Sequence, residues 1–486
     1  MTLGKILVID VGTSGVRASI VDGDSNVTNN FYEKVLPSSP APSFVEFDPV
    51  EMAQAVLRVA NASLAQGGPV DCVGIANQRA STILWDRKTG VPVGPGIGWQ
   101  DLRTVVTCLM MRDQGIRLAP NLSATKLSFL LDIAEKGRDG DYCFGTVDSW
   151  IAWTLSGGTL HVTDATNVAV TGLRYVGADD WDAERLEALN IPVGMLPTVV
   201  NSSQIIGEAS ELEGSPPIAG IAGDQQASLV GQGCTQPGMA KITFGTGGML
   251  DACTGPAKPG FDIRGPNGTY PIVSWKRNDT INWGIEAVML SAGTCVEWLR
   301  DDLGIISDAA ESASLAAQCA STGDVWFVPA LLGLGTPLWD FGARGTLLGL
   351  TRGSGRPEIA RAVLEGIAHR GADLLEAAEA DAGITVGSLR VDGGMSANEI
   401  FLGALADATG RTIEVSPVLE ATTLGAAYLA GMAVGIWEDE NEVAEAWEPG
   451  KVVEPSGTSR ASSRARWAQA VERSRRTIPE LSELDF

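Results

Sequence analysis

The sequence predicts an α/β protein built as two related halves with a cleft between them. Short β-branched strands alternate with amphipathic helices along most of the chain, the pattern of an α/β core. A strand, a glycine-rich turn and a returning strand occur twice, around Gly12-Thr13-Ser14-Gly15 and around Gly245-Thr246-Gly247-Gly248. The chain of 486 residues is also longer than one hydrophobic core usually supports.

Lys5-Ile-Leu-Val-Ile-Asp opens as a strand ending in an acid, Val16 to Asp22 returns, and Val27 to Leu36 reads as a third strand. Asp48-Pro-Val-Glu-Met begins a helix, with Asp as N-cap and Pro in the first turn, and the pattern runs to about Gln66. Asp71 to Ala76 returns as a strand, and helices are expected near 101–114, 123–137 and 147–156. Ile218 to Gln226 holds another apolar strand closed by an acid, Asp224; Ala240-Lys-Ile-Thr-Phe starts the second hairpin. Leu389-Arg-Val-Asp-Gly-Gly leads into a helix at about Asn398 to Thr409. The uncharged stretch from Ala421 to Trp437 reads as a buried helix rather than a membrane span, which needs about 20 strongly apolar residues. A terminal helix is expected near Ser462 to Arg476, its arginines forming a solvated face. Gly231 to Gly238 looks like a hinge, placing an N-terminal domain at 1–233 and a C-terminal domain at 234–486.

Composition excludes several functions. With 35 Lys plus Arg against 59 Asp plus Glu, the net charge of −24 repels phosphate backbones and anionic lipid heads, so neither nucleic acid nor membrane is expected as a partner. Only two histidines occur, His161 and His369, which rules out a His-x-x-x-His zinc helix and leaves no Gly-x-Ser-x-Gly hydrolase elbow to pair with either. Both read as structural, and Trp150, Trp153, Trp298 and Trp437 read as core. Seven scattered cysteines without a Cys-x-x-Cys pair, and an N-terminus without a signal-peptide pattern, suggest a reduced cytoplasmic protein; a homodimer is left open.

The two glycine turns offer unobstructed backbone N–H groups and hydroxyls, which is what a nucleotide's phosphates require. Neither a Walker loop nor an intact Gly-x-Gly-x-x-Gly is present, so a nucleotide would be bound by another fold, and the hairpins point to the actin-like class. Asp10 and Asp224 each close an apolar strand beside glycine, where a carboxylate can hold Mg²⁺ through water or take a proton from a hydroxyl.

Specific segments extend this reading. Asn77-Gln-Arg-Ala-Ser-Thr-Ile-Leu-Trp, Ile97-Gly-Trp-Gln-Asp-Leu-Arg-Thr, Phe144-Gly-Thr-Val-Asp-Ser-Trp and His161-Val-Thr-Asp-Ala-Thr-Asn precede Gly220-Ile-Ala-Gly-Asp-Gln-Gln-Ala-Ser-Leu. Gly238-Met-Ala-Lys-Ile-Thr-Phe-Gly-Thr-Gly, Val391-Asp-Gly-Gly and Leu424-Gly-Ala-Ala-Tyr-Leu-Ala-Gly follow in order. In these the chain resembles the FGGY-family carbohydrate kinases, and among them the glycerol kinases. The resemblance implies two actin-like (ribonuclease-H-like) domains, MgATP, and transfer of the γ-phosphoryl group to a small polyol or sugar. It implies Asp224 as general base and Asp10 as the acid that holds Mg²⁺. It places Thr13, Ser14, Gly15 and Arg17 at the first phosphate turn, and Thr246, Gly247, Gly293, Glu297, Gly394 and Asn398 at the nucleotide from the second domain. Arg79, Ala80, Trp99, Asn121, Asp224, Gln225 and Met249 fall in the acceptor pocket.

Four of these positions depart from glycerol kinases, which carry Glu, Tyr and Phe where this chain has Ala80, Asn121 and Met249, and Gln where it has Glu297. Losing a carboxylate and two rings opens the pocket. Glycerol is therefore the first expected acceptor, with a C4–C5 polyol or ketose such as erythritol, xylulose or ribulose as the alternative. An actin-like nucleotide switch is the non-enzymatic alternative, opposed by Arg79, Trp99 and Asp224–Gln225, which a switch does not need.

Overall fold

The computed structural model describes residues 4–418, 420–457 and 460–485. Its backbone is one mixed sheet of thirteen strands. In the first half, β1 (Lys5–Val11), β2 (Gly15–Asp22) and β3 (Val27–Lys34) form an antiparallel meander, and β4 (Cys72–Asn77) lies parallel to β1. β5 (Ser203–Glu208) and β6 (Pro217–Gly223) pair antiparallel, and β6 runs parallel to β4. In the second half, β7 (Ala240–Phe244), β8 (Gly248–Gly255), β9 (Tyr270–Arg277) and β10 (Thr280–Met289) follow, with β7–β8 and β8–β10 antiparallel. β11 (Ser388–Asp392) lies parallel to β7, β12 (Thr412–Val415) parallel to β11, and β13 (Lys451–Val453) closes the edge.

The topology is thus duplicated: β3-β2-β1-β4-β6 and β10-β8-β7-β11-β12 share the same order and directions. This is the two-fold actin-like architecture expected from the paired hairpins. The halves join where Ser203 of β5 pairs Arg277 of β9.

Local chemistry explains the helices. In α1 (Pro49–Gly67), Asp48 accepts from the Val50 and Glu51 amides, and Met52, Val56, Val59 and Leu64 bury one face. Such a cap is worth about 1 kcal/mol. α2 (Val105–Asp113) begins later than the helix expected from 101, because Asp101 is spent otherwise: wholly buried, it accepts from the Val45 amide and the Arg103 guanidinium. α3 (Ser123–Ile133) and α4 (Val147–Leu155) complete the first half. α5 (Asp224–Gly231) follows β6 directly. α6 (Arg356–Ala382) and α7 (Glu399–Thr409) cover the second half, packing on Ile242, Phe244, Leu250 and Val391.

α8 (Ala421–Val434) is the buried apolar helix expected there, and among the described residues no helix is long and apolar enough to cross a membrane. It packs on β1, β4 and β6 of the first half, with Leu424, Ala427 and Ala430 beside Ile6, Ala76 and Ala222. Close approach is possible because two strand positions lack side chains. A Cβ on Gly74 would lie 2.5 Å from the Ala426 carbonyl oxygen, and one on Gly220 2.6 Å from the Ala430 nitrogen.

α9 (Arg460–Ser474) corrects an expectation. Arg460, Arg466 and Arg473 are exposed as expected, but Arg464 is drawn in: it pairs with Asp373 and Glu376 of α6, and Trp467 is buried with its indole N–H on Asp373. The acidic stripe on α6 draws the basic helix down. Trp150 and Trp437 are core as expected, whereas Trp153 and Trp298 are only half-buried. Both histidines are hydrogen-bonded inside the fold, His161 to the Phe144 carbonyl and His369 to Ser463, and burial pushes each imidazole down to about 4.

Candidate active site

Three strand ends converge. Asp10, near the end of β1, has its carboxyl pushed up to about 7, first by burial and then by the charge of Asp224, with Arg17 opposing. The turn after β1 is closed by the Gly12 amide donating to the Gly15 carbonyl at 3.0 Å. A Cβ on Gly15 would fall 2.4 Å from the Tyr32 hydroxyl and 2.6 Å from the Glu33 carbonyl oxygen, so that position has no room for a side chain. The Tyr32 hydroxyl donates to the Ser14 carbonyl at 3.1 Å. Thr13 Oγ1 accepts from the Trp99 indole at 3.2 Å, so the first glycine turn and Trp99 adjoin. Arg17 is paired with Glu420 at the start of α8.

Asp224 is the first residue of α5, immediately after β6. Its backbone is anchored from behind: the Gly223 amide donates to Thr166 Oγ1 at 2.8 Å, and Thr166 in turn donates to the buried Asp164 at 2.8 Å. Burial pushes the Asp224 carboxyl up while the Arg79 guanidinium pulls the other way. Arg79 Nε lies 3.6 Å from Asp224 Oδ1, and its Nη2 lies 2.6 Å from Glu286 Oε2 on β10. Ala80 follows with φ of 60° and is buried. Asn121 is exposed, and the buried Lys126 ammonium donates to both the Trp99 and the Asn121 carbonyls, at 3.1 and 3.3 Å, tying these two positions together.

Residues opposite each other in antiparallel strands share a face of the sheet. Lys241 lies opposite Asp251, Thr243 opposite Met249, and Glu286 opposite Asp251. Met249 therefore lies on the face that carries Lys241, Asp251 and Glu286. Lys241 reaches Gln225 Oε1 at 2.7 Å, so this face meets the start of α5.

The second glycine turn is braced by the segment after β10. Thr246 accepts from the Ala292 amide and Gly245 from the Gly293 amide, at 2.9 and 2.8 Å, and a Cβ on Gly293 would lie 2.6 Å from the Gly245 oxygen. Thr246, Gly247 and Gly293 are thus together. Glu297 is exposed on the following turn. Gly393, with φ of 87°, sits against the Phe244 backbone and brings Gly394 beside the end of β7. Asn398 is engaged within the protein: it caps α7 through the Phe401 amide and donates to Ser312.

Lys241, Asp251 and Glu286 were not among the predicted site residues. Each is a lone charge in an otherwise apolar strand, a pattern that signals pairing because an unpaired buried charge is costly. The partners lie on different strands, and only the register brings them together.

Two actin-like halves with a glycine turn on each, and the carboxylates of Asp10 and Asp224 at strand ends of the first, are the architecture of the actin-like class, which includes phosphotransferases. Residues 5–231 match the N-terminal domain, and residues 240–434 the C-terminal domain, of the FGGY family of carbohydrate kinases. The chain belongs to that family. It is 42% identical to glycerol kinase 2 of Thermotoga maritima, over 96% of this chain and 98% of the relative. The crystal structure of Plasmodium falciparum glycerol kinase with ADP superposes with a TM-score of 0.90 at 29% identity, over 97% of this chain and 98% of that one. A ligand-bound xylulose kinase from Lactobacillus acidophilus shares the fold, with a TM-score of 0.85 at 20% identity over 97% of both chains.

Proposed function

We propose that this protein transfers the γ-phosphoryl group of ATP to a hydroxyl of a small polyol, glycerol first among them, with Asp224 as general base. The observation that carries this reading is the Asp224 carboxylate itself. It is half-buried, with its proton affinity raised, flanked by Arg79 and Gln225, and felt electrostatically by Asp10 beside the first glycine turn. A base with a raised proton affinity is matched to accepting a hydroxyl proton near neutral pH.

In this reading the acceptor lies between Arg79, Gln225 and Trp99, its reacting hydroxyl donating to Asp224. Thr13, Ser14, Gly15 and Arg17 hold phosphates from one side; Thr246 and Gly247 hold them from the other. Gly293, Glu297, Gly394 and Asn398 line the nucleoside side. For Arg17 to serve, it must exchange Glu420 for a phosphate. Phosphoryl transfer needs mainly positioning and charge neutralisation, so neither histidine is required.

The residues fit Mg²⁺. The charge of Asp224 raises the proton affinity of Asp10, and Mg²⁺ is commonly held by one or two carboxylates with nucleotide phosphates and water. Among the described residues no group of three or more His, Cys, Asp or Glu could hold a metal, and such an ion needs none. Asp10 would hold the ion, which when bound neutralises charge on the transferring phosphoryl group.

Domains at 1–233 and 234–486, hinged near Gly231 to Gly238, would close on the nucleotide and exclude water. All seven cysteines are unpaired and six are buried, which supports a reducing, cytoplasmic setting. The test is a coupled ADP-release assay over C3–C6 polyols and ketoses. Acceptor-dependent turnover supports the reading; ATP turnover indifferent to every acceptor overturns it in favour of a nucleotide switch.

A further inference from the structure

Lys241 and Asp251 face each other across β7 and β8 at 2.8 Å, both with wholly buried side chains. The Lys241 ammonium also donates to Gln225 Oε1 at 2.7 Å and to Thr243 Oγ1 at 3.0 Å. An ammonium has no lone pair and can only donate. The end of the Gln225 amide that faces Lys241 must therefore be the oxygen. Gln225 is half-buried, and its Nε2 has no hydrogen-bond partner among the described residues. The NH₂ group is the end left for an acceptor molecule, one residue along α5 from Asp224.

We propose that the buried Lys241–Asp251 pair is a positioning device that locks the Gln225 amide with its NH₂ toward the acceptor. The site then reads an oxygen lone pair on the carbon next to the phosphorylated hydroxyl. The inference rests on the kinase reading above and deepens it. Asp251 is what makes the lock hold. A buried lysine without a counter-charge tends to lose its proton, and a neutral amine can accept as well as donate, which would let the amide turn over. Paired with Asp251, the Lys241 ammonium can only donate and permits one orientation only. Asp224 then accepts the proton of the reacting hydroxyl while Gln225 donates to its neighbour. The acceptor class is a vicinal diol or an α-hydroxy ketone. An isolated alcohol forgoes the hydrogen bond that the amide N–H groups offer and is discriminated against by its loss.

The test compares glycerol with propane-1,3-diol, which lacks the middle hydroxyl, in the full-length protein. The parent should favour glycerol by at least about tenfold in kcat/KM. Lys241→Gln/Asp251→Asn replaces the pair with neutral groups that both donate and accept. Lys241→Met/Asp251→Leu replaces it with apolar groups of similar reach. In either, the glycerol preference should fall below about threefold, through a raised KM for glycerol with kcat and the KM for ATP little changed. A folded double variant that keeps the parental preference overturns the proposal. So does a general loss of kcat with the preference intact, which is what mere structural damage produces. Should neither pair fold, Lys241→Arg decides: also donor-only, it keeps the preference if the lock is real, and a collapsed preference overturns it. A parent that phosphorylates no polyol refutes the kinase reading instead, so the two failures are distinct.

Discussion

On the β7–β8–β10 side of Asp224, Lys241 and Asp251 are wholly buried and Glu286 nearly so, each held by a partner within 3 Å. On the opposite side Trp99 is 40% exposed, Asn121 lies at the surface, and Ala80 has no functional group to offer. One wall is a closed lattice of charges; the other is open and short of polar reach. On the proposed reading the closed wall orients Gln225 and, through Met249, borders the acceptor, while the open wall leaves room for a larger one. Orientation and size would then be broken separately.

The largest effect lies at the residue both walls share. Asp224→Asn keeps the shape but cannot take a proton, and turnover should fall by about 10²–10⁴-fold while ATP binding, read by calorimetry, survives. Near-parental turnover would remove Asp224 from the role. Breaking the closed wall comes next. Glu286→Leu strips the buried Arg79 guanidinium of its 2.6 Å partner and should cost about 3–5 kcal/mol in denaturant unfolding. A loss under about 1 kcal/mol would mean that Arg79 is held by Asp224 alone.

The open wall is sharpened by filling it. Ala80→Glu with Asn121→Tyr should move relative kcat/KM toward glycerol, and away from C4–C5 polyols, by about ten- to a hundredfold. An unchanged ranking would show that the vacated space never faced the acceptor. A control far from both walls gives the smallest effect. His369 is held near 4 by burial, with Arg464 and Arg460 lowering it further and Asp373 opposing, whereas an unfolded histidine takes its proton near 6.5. Its contribution is whole above that value and is lost as pH falls toward 4. His369→Gln should therefore recover about 2 kcal/mol of the stability lost between pH 7 and 5. A parallel pair of curves would show that His369 is protonated in the fold.

Strand ends and turns were legible because local chemistry decides them. Asp48 capping α1, the acids closing β1 and β6, and the two glycine turns are each settled within a few residues. The helix expected from 101 failed because Asp101 bonds to Val45, a contact that local pattern cannot report. Arg464 failed likewise: its helix is polar in isolation, and only the acidic residues of α6 reveal that it docks. At the site, the residues that end strands were readable, and those that pair across strands were not. Lys241 and Asp251 occupy positions whose meaning depends on the β7–β8 register.

Helix α8 has a consequence for the order of events at the ribosome. It completes the back of the first half, whose last strand, β6, ends at Gly223, yet its own residues are made only near Val434. At about 5–20 residues per second that interval is on the order of 10–40 s. Throughout it, the apolar face formed by Ile6, Val8, Ala219, Ala222 and Val230 stays uncovered. The half that is synthesised first is thus among the last to be finished, and nascent chains must be kept from one another until α8 arrives. A truncation just short of α8 removes no appendage; it strips one face of the first half's sheet of its cover.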